Sequence, residues 1–294
     1  MIRLGTRGSA LALAQAAWVA ERLDTETELV TMVTAGDRGH YEADKSRWVS
    51  ELERALLAGE IDLAVHSAKD VPAQLPDGLD LVAIPPRADA RDVICGSPSL
   101  RDLAPGARVG TSSVRRAAQI LAARADLEVV PLRGNVDTRL RTLDEGQCDA
   151  LVLALAGLER LQRADAAGGV LEELVPAPGQ GALVLEARAD HPQRSHLEAV
   201  SDPEATTCVT AERRVVSALD ASCHTPLGVH ARLDGDGALE LEAWVGLPDG
   251  AQWIADRVAG PATEVPDRLV ERLESVGARE LLLRAEKMGA EGRA

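Results

Sequence analysis

The stretch ELERALLAGEIDLAVHSAKDVP, residues 51–72, holds a helix, a stop and a buried strand in succession. Its helical part belongs to RWVSELERALLAG (47–59), which closes on Gly59, a residue suited to a helix C-cap. IDLAVHS (61–67) is apolar without alternation until its end, as in a strand buried on both faces. The run then turns polar at His66, Ser67, Lys69 and Asp70. A buried strand fed by a helix and ending in polar residues is the repeating unit of an α/β fold with a crevice at its strand ends.

The same alternation extends in both directions. IRLGT (2–6) precedes a helix capped by Ser9, and ELVTMV (28–33) and LDLVAI (79–84) read as further strands. From Asp92 the pattern starts again: DVICG, ARVGT, a helix over 112–125, LEVVPL, a helix over 136–145, and DALVLAL. PPRADA (85–90) and VPAPGQGA (175–182) read as hinges, and ALVLEA (182–187) as a strand that returns to the first lobe. After Pro203 the style changes to a helix over 203–219, two or three antiparallel-looking strands separated by Gly-rich turns, and helices over 264–276 and 278–288. The expected organisation is a discontinuous first α/β lobe (1–85 and 182–201), a second α/β lobe (90–178) and a small α+β domain (203–294).

Composition limits the partners. The 294 residues carry 32 basic and 47 acidic side chains, a net charge of −15, and a field of that sign repels nucleic acid and anionic membranes. Only Lys45, Lys69 and Lys287 are lysines, a bias that suits high salt and that a GC-rich genome also produces. Aromatic residues make up 2% and Phe is absent, so the cores must be built from Ala, Leu and Val. No apolar stretch reaches the ~20 residues of a membrane span, and the chain begins without a charged-then-apolar signal, so a cytoplasmic protein is expected. The four cysteines form no CxxC, which argues against a zinc site or a disulfide framework.

Against this acidic background the arginines are informatively placed. Arg7 lies in GTRGS, Arg115 and Arg116 in GTSSVRR, and Arg133 and Arg139 in LRGNVDTR, each at a strand-to-helix transition. Helix N-termini bind anions, and arginines add bidentate recognition of carboxylates. Repeated at one topological position, they point to a small polyanionic ligand. Asp70, at the end of AVHSAKDVP, is a candidate to stabilise positive charge, and His66 reads as a packed core histidine. No GxSxG, HExxH or phosphate-binding lysine loop is present. Cys223 differs from the other cysteines in lying within turn chemistry, DASCHTPLG (220–228). These residues suit either an enzyme using Cys223 and Asp70, or a two-lobed binding protein for a small dicarboxylate in which Cys223 has no task.

Seven motifs carry a resemblance that chooses between them: RLGTRGSALALAQA, ELERALLAGEIDLAVHSAKDVP, VGTSSVRRAAQ, LRGNVDTRL, LALAGLERL, PAPGQGAL and CHTPLG. In this order the chain resembles the porphobilinogen deaminase (hydroxymethylbilane synthase) family over about residues 2 to 290. The resemblance implies two lobes like those of periplasmic binding proteins, with mainly parallel sheets around a cleft, and a small C-terminal domain. It implies a dipyrromethane cofactor held by a thioether at Cys223, four successive additions of porphobilinogen with loss of ammonia, and hydrolytic release of the linear tetrapyrrole.

On the same footing Asp70 is the catalytic carboxylate. Ser67, Lys69, Thr111, Ser113, Arg115, Arg116, Arg133 and Lys45 contact the cofactor, and Arg7, Ser9, Gln15, Arg139, Gly157 and Arg160 contact the substrate. Porphobilinogen is then the small-molecule partner, and the enzyme is monomeric. Loss of ammonia leaves an electron-poor cation that a fixed carboxylate stabilises, and each added unit brings two carboxylates that need arginines. Two departures stand out. Ala221 and Ser222 replace the family's glycine pair, and the lid loop AGDRGHYEADKSRW (35–48) is shortened, with Lys45 kept and Trp48 as the substitute aromatic cover.

Overall fold

The structure, a computed structural model, describes residues 1–32, 46–222 and 225–291, the side chains of 46–48 and 291 apart. The chain divides into two compact units, Met1–Ala88 with Gly181–Val209, and Asp89–Gln180 with Thr210–Ala294.

The first unit is built on β1 (Ile2–Arg7), α1 (Ala10–Ala20), β2 (Thr27–Met32), α2 (Ser46–Leu57), β3 (Leu63–Ser67), β4 (Leu79–Ala83), β10 (Leu183–Arg188) and α6 (Arg194–Glu198). Its sheet order is β2-β1-β3-β10-β4. β1 pairs in parallel with β2 and β3, and β10 is antiparallel to both β3 and β4, so one strand of five is reversed. Period-two alternation divides the apolar residues between two layers. Leu63, Val65, Leu183 and Leu185 join Ile2, Leu4, Ala16 and Val19 beneath α1. Ala64 faces the other way, onto Leu52, Ala55 and Leu56 of α2. Each fully buried leucine or isoleucine contributes about 1.5–3 kcal/mol, which lets an α/β sheet hold without phenylalanine.

The second unit repeats this frame with β5 (Asp92–Cys95), β6 (Arg108–Gly110), α3 (Val114–Ala123), β7 (Glu128–Val130), α4 (Val136–Asp144), β8 (Ala150–Ala154), α5 (Leu155–Arg160) and β9 (Gly169–Leu171). The order is β7-β6-β8-β5-β9, with β6 parallel to β7 and β8, and β5 antiparallel to β8 and β9. Again four strands run one way, and the reversed strand stands fourth. The mainly parallel α/β reading therefore holds in both sheets. β9, only three residues long, has no counterpart in the sequence reading because Gly169–Leu171 is too short to show a period.

α7 (Pro203–Ala218) is followed by a three-stranded antiparallel sheet of β11 (Leu227–Leu233), β12 (Leu239–Gly246) and β13 (Trp253–Gly260), covered by α8 (Val265–Ser275) and α9 (Ala278–Glu291). Two residues beyond α7, Asp220 takes a left-handed backbone (φ 52°) that breaks the helical course.

Candidate functional site

In the first unit the candidate residues meet at the carboxyl ends of β1 and β3, neighbouring parallel strands. The chain leaves β1 for β2 on one side and comes back to β3 on the other, which makes this a topological switch point. Arg7 ends β1, and Ser9 caps α1, its Oγ accepting from the Ala12 amide at 3.3 Å. Gln15 is buried and donates from Nε2 to Ser67 Oγ at 3.0 Å, tying α1 to the end of β3. Lys69 and Asp70 follow, half-buried, in a single helical turn over Ala68–Asp70. That turn is anchored by the Ala68 amide on the Ala182 carbonyl at 3.0 Å.

Behind this edge lies a charged cluster that the sequence reading did not contain. His66 is the packed histidine expected, and its Nε2 is 2.9 Å from Oε2 of fully buried Glu186, a contact not aligned as a hydrogen bond. Buried Glu53 of α2 belongs to the same cluster, and its carboxyl is raised above the ordinary range by burial and then by the charge of Glu186, with His66 opposing.

The second unit uses the equivalent switch point, between β6 and β8. Thr111 follows β6 and is buried, its Oγ1 accepting from the Ser113 amide at 3.2 Å. Ser113 caps α3 by accepting from the Arg116 amide. Arg133 is exposed in the loop after β7, and Asn135 caps α4. Arg139 is half-buried and donates from Nε to the Gly134 carbonyl at 3.0 Å, with no carboxylate in ion-pairing range among the described residues. Burial, and then the charge of Arg116, lower its pKa. Gly157 and Arg160 lie half-buried on α5 after β8, and burial brings the Arg160 guanidinium down to about 10 against the pull of Glu159.

Arg115 and Arg116 are turned inward. Both are buried, and both meet Asp92, the fully buried first residue of β5. Arg115 Nη2 is 2.7 Å from Asp92 Oδ2, while Arg116 Nε and Nη2 donate to Oδ1 at 3.0 and 2.7 Å. Gln180, buried between two left-handed glycines (Gly179 φ 72°, Gly181 φ 84°), donates from Nε2 to the same Oδ1 at 2.8 Å. Burial opposes ionisation of Asp92, but the two arginines and Gln180 outweigh it and hold its pKa below the usual carboxylate range. Burial lowers the pKa of Arg115, against the attraction of Asp92.

The 175–180 segment links this cluster to α7 and β11 within the same unit. The Val175 carbonyl accepts from Arg115 Nη1 and Gln119 Nε2, and the Val175 amide donates to Gln119 Oε1. Buried Glu212 of α7 accepts from the Gly179 amide at 2.6 Å and from the Ala231 amide at 2.8 Å. β11 passes so close that a Cβ at Gly228 would come within 2.6 Å of the Val175 carbonyl, which explains the glycine of CHTPLG. Thr225 is buried and donates from Oγ1 to the Ser222 carbonyl at 2.6 Å. Cys223 and Lys45 lie outside the described residues, as does the side chain of Trp48 and most of the 35–48 lid loop.

The sequence reading also missed Asp92, Gln180, Gln119 and Glu212. Two signals were visible, a charged residue opening an apolar strand at Asp92 and an amide between two glycines at Gln180. Among the described residues no helix is long and apolar enough to cross a membrane, and no group of three His, Cys, Asp or Glu side chains could hold a metal ion.

Residues 2–196 match the family model described as porphobilinogen deaminase, dipyrromethane cofactor binding domain, and residues 206–275 match that of the porphobilinogen deaminase C-terminal domain. The chain is 45% identical to the porphobilinogen deaminase of Deinococcus deserti over 286 residues, covering 90% of this chain and 92% of that one. It is 45% identical to the porphobilinogen deaminase of Thermus thermophilus over 295 residues, covering 96% and 98%. Among solved structures, the methionine-binding protein MetQ aligns at a TM-score of 0.41 and 17% identity, over 68% of this chain and 89% of that one.

Proposed function

Since the chain belongs to the porphobilinogen deaminase family, we propose that it is the transferase that joins four porphobilinogen molecules into the linear tetrapyrrole hydroxymethylbilane on a dipyrromethane primer held by a thioether at Cys223. The observation that carries this reading is the placement of the described candidates. Within each unit they gather at the carboxyl ends of parallel strands beside the switch point.

The residues fit the cofactor chemically. A dipyrromethane carries acidic side chains, and buried Arg115 keeps its Nε without a hydrogen-bond partner among the described residues, a donor such a group can use. Thr111 and Ser113 precede Arg115 at the end of β6, and Arg116, Arg133 and Lys45 are assigned to the same task. When bound, the primer supplies the nucleophilic pyrrole carbon onto which the chain grows.

The protein's part is positioning and electrostatics. Arg7, Ser9, Gln15, Arg139, Gly157 and Arg160 bind and orient the incoming porphobilinogen. Each addition breaks a carbon–nitrogen bond, expels ammonia and forms one carbon–carbon bond, and the nucleophilic ring carbon gives up its proton to restore aromaticity. Asp70 on its short anchored turn stabilises the positive charge that develops as ammonia leaves, and Ser67 and Lys69 set its surroundings.

Intact mass of the chain purified from a tetrapyrrole-making host tests the reading. A mass raised by one dipyrromethane is expected for the unaltered chain and absent from Cys223→Ser. An unmodified Cys223 together with no conversion of porphobilinogen would overturn it.

A further inference from the structure

Asp92 is the one carboxylate that both buried arginines of the second unit face, and no part of the reaction described above employs it. Its two oxygens take four contacts from three side chains. Oδ1 accepts from Arg116 Nε, Arg116 Nη2 and Gln180 Nε2, and Oδ2 faces Arg115 Nη2. Each guanidinium is then fixed by a second anchor on a different element, Arg116 Nη1 on the Val152 carbonyl at 3.0 Å and Arg115 Nη1 on the Val175 carbonyl at 2.7 Å. With one point of attachment a guanidinium rotates, and with two it is aimed.

Donors are left over. A guanidinium has five N–H groups, and the hydrogen bonds here use three on Arg116 and one on Arg115, whose Nη2 meets Asp92 Oδ2 as an ion pair. Arg115 Nε is buried without a hydrogen-bond partner among the described residues, an open donor that calls for an explanation. Two cations against one anion also leave a single positive charge, enough to hold one carboxylate without stranding a second.

We propose that Asp92 is a positioning residue for carboxylate recognition, an internal counter-ion that aims Arg115 and Arg116 and sets the pair's net charge at one. Gln180 completes it by adding a third donor to Asp92 Oδ1, with its other donor on the Ala90 carbonyl at 2.7 Å. The inference rests on the reading that Arg115 and Arg116 bind acidic side chains of the primer.

Two full-length variants test it beside the unaltered chain, all purified from a tetrapyrrole-making host. Asp92→Glu keeps the charge and shifts the carboxylate by one methylene, and Asp92→Asn keeps the shape and removes the charge. Each is read by intact mass, by melting temperature and by separate kcat and KM for porphobilinogen. For Asp92→Glu the share of chains carrying the primer mass should fall about threefold, and the loaded fraction should show KM raised about tenfold with kcat within about threefold, the scale of a misaligned charge-assisted hydrogen bond. Asp92→Asn should load less still and melt lower.

A lower melting temperature with unchanged loading and KM in Asp92→Glu would reduce Asp92 to a folding role and overturn the inference. Should the Asp92 variants fail to fold, Gln180→Met removes the lateral donor together with its bond to the Ala90 carbonyl, and leaves Asp92 and both arginines in place. A smaller rise in KM is expected from it, and an unchanged KM overturns the proposal. If the unaltered chain neither carries the primer nor converts porphobilinogen, the family reading fails instead.

Discussion

The two units build the same sheet around charge clusters of opposite character. In each, the fourth strand is reversed and carries a fully buried carboxylate, Glu186 on β10 and Asp92 on β5. Glu186 faces a histidine and a second carboxylate, Glu53, whereas Asp92 faces two arginines and an amide. An uncompensated buried charge costs several kcal/mol, so neither carboxylate is tolerable without its partners. The difference teaches that one frame supplies the location and the partners supply the sign. The first unit sets two carboxylates and one histidine together, and the second sets two arginines against a single carboxylate.

The sharpest way to break this comparison is to remove the acid from the first edge. Asp70→Asn should lower kcat by about 10²–10⁴-fold, the usual contribution of a positioned acid–base group, while intact mass still shows the primer. Porphyrin formation at the unaltered rate would show that Asp70 is not the carboxylate in use. The arginines of the second unit then separate by partner. Arg116→Met strips Asp92 of half its compensation and should cost about 3–5 kcal/mol in denaturant unfolding. Arg139 has no carboxylate in ion-pairing range among the described residues, so Arg139→Ala should leave stability within about 0.5 kcal/mol and raise KM for porphobilinogen about tenfold. If the two variants were equally destabilised, the distinction between a paired and an available arginine would be lost.

Sequence showed one half of this arrangement far better than the other. The strand, turn and helix joins at Thr111–Arg116 and Asn135–Arg139 are local, so Gly, Ser, Asn and Arg within a few residues announce them. The counter-ions are remote. Asp92 meets Arg116 across 24 residues and Gln180 across 88, and both stand in runs whose apolar or glycine-rich neighbours read as core and hinge. For the same reason Arg115 and Arg116 were visible as a pair, but their inward direction was not. Glu186 was hidden in the apolar run ALVLEA, where a buried carboxylate leaves no periodic trace.

The smallest expected effect probes the acidic cluster alone. Glu53 holds its proton more tightly when folded than when unfolded, because burial and the charge of Glu186 both oppose its ionisation. Its folded pKa therefore lies above the ordinary ~4.3 of a free glutamate, and the sign of the linkage follows. Below that ordinary value the carboxyl is protonated in both states and adds no pH dependence. As pH rises from there through the raised folded value, the unfolded chain loses the proton first, so stability falls, and it levels off once the folded carboxyl has also ionised. Glu53→Gln keeps the shape and removes the titration, so its stability relative to the unaltered chain should climb with pH across that window and be flat on either side. Urea unfolding at a series of pH values measures it, and a difference that does not change with pH would mean that Glu53 is not held protonated by its burial beside Glu186.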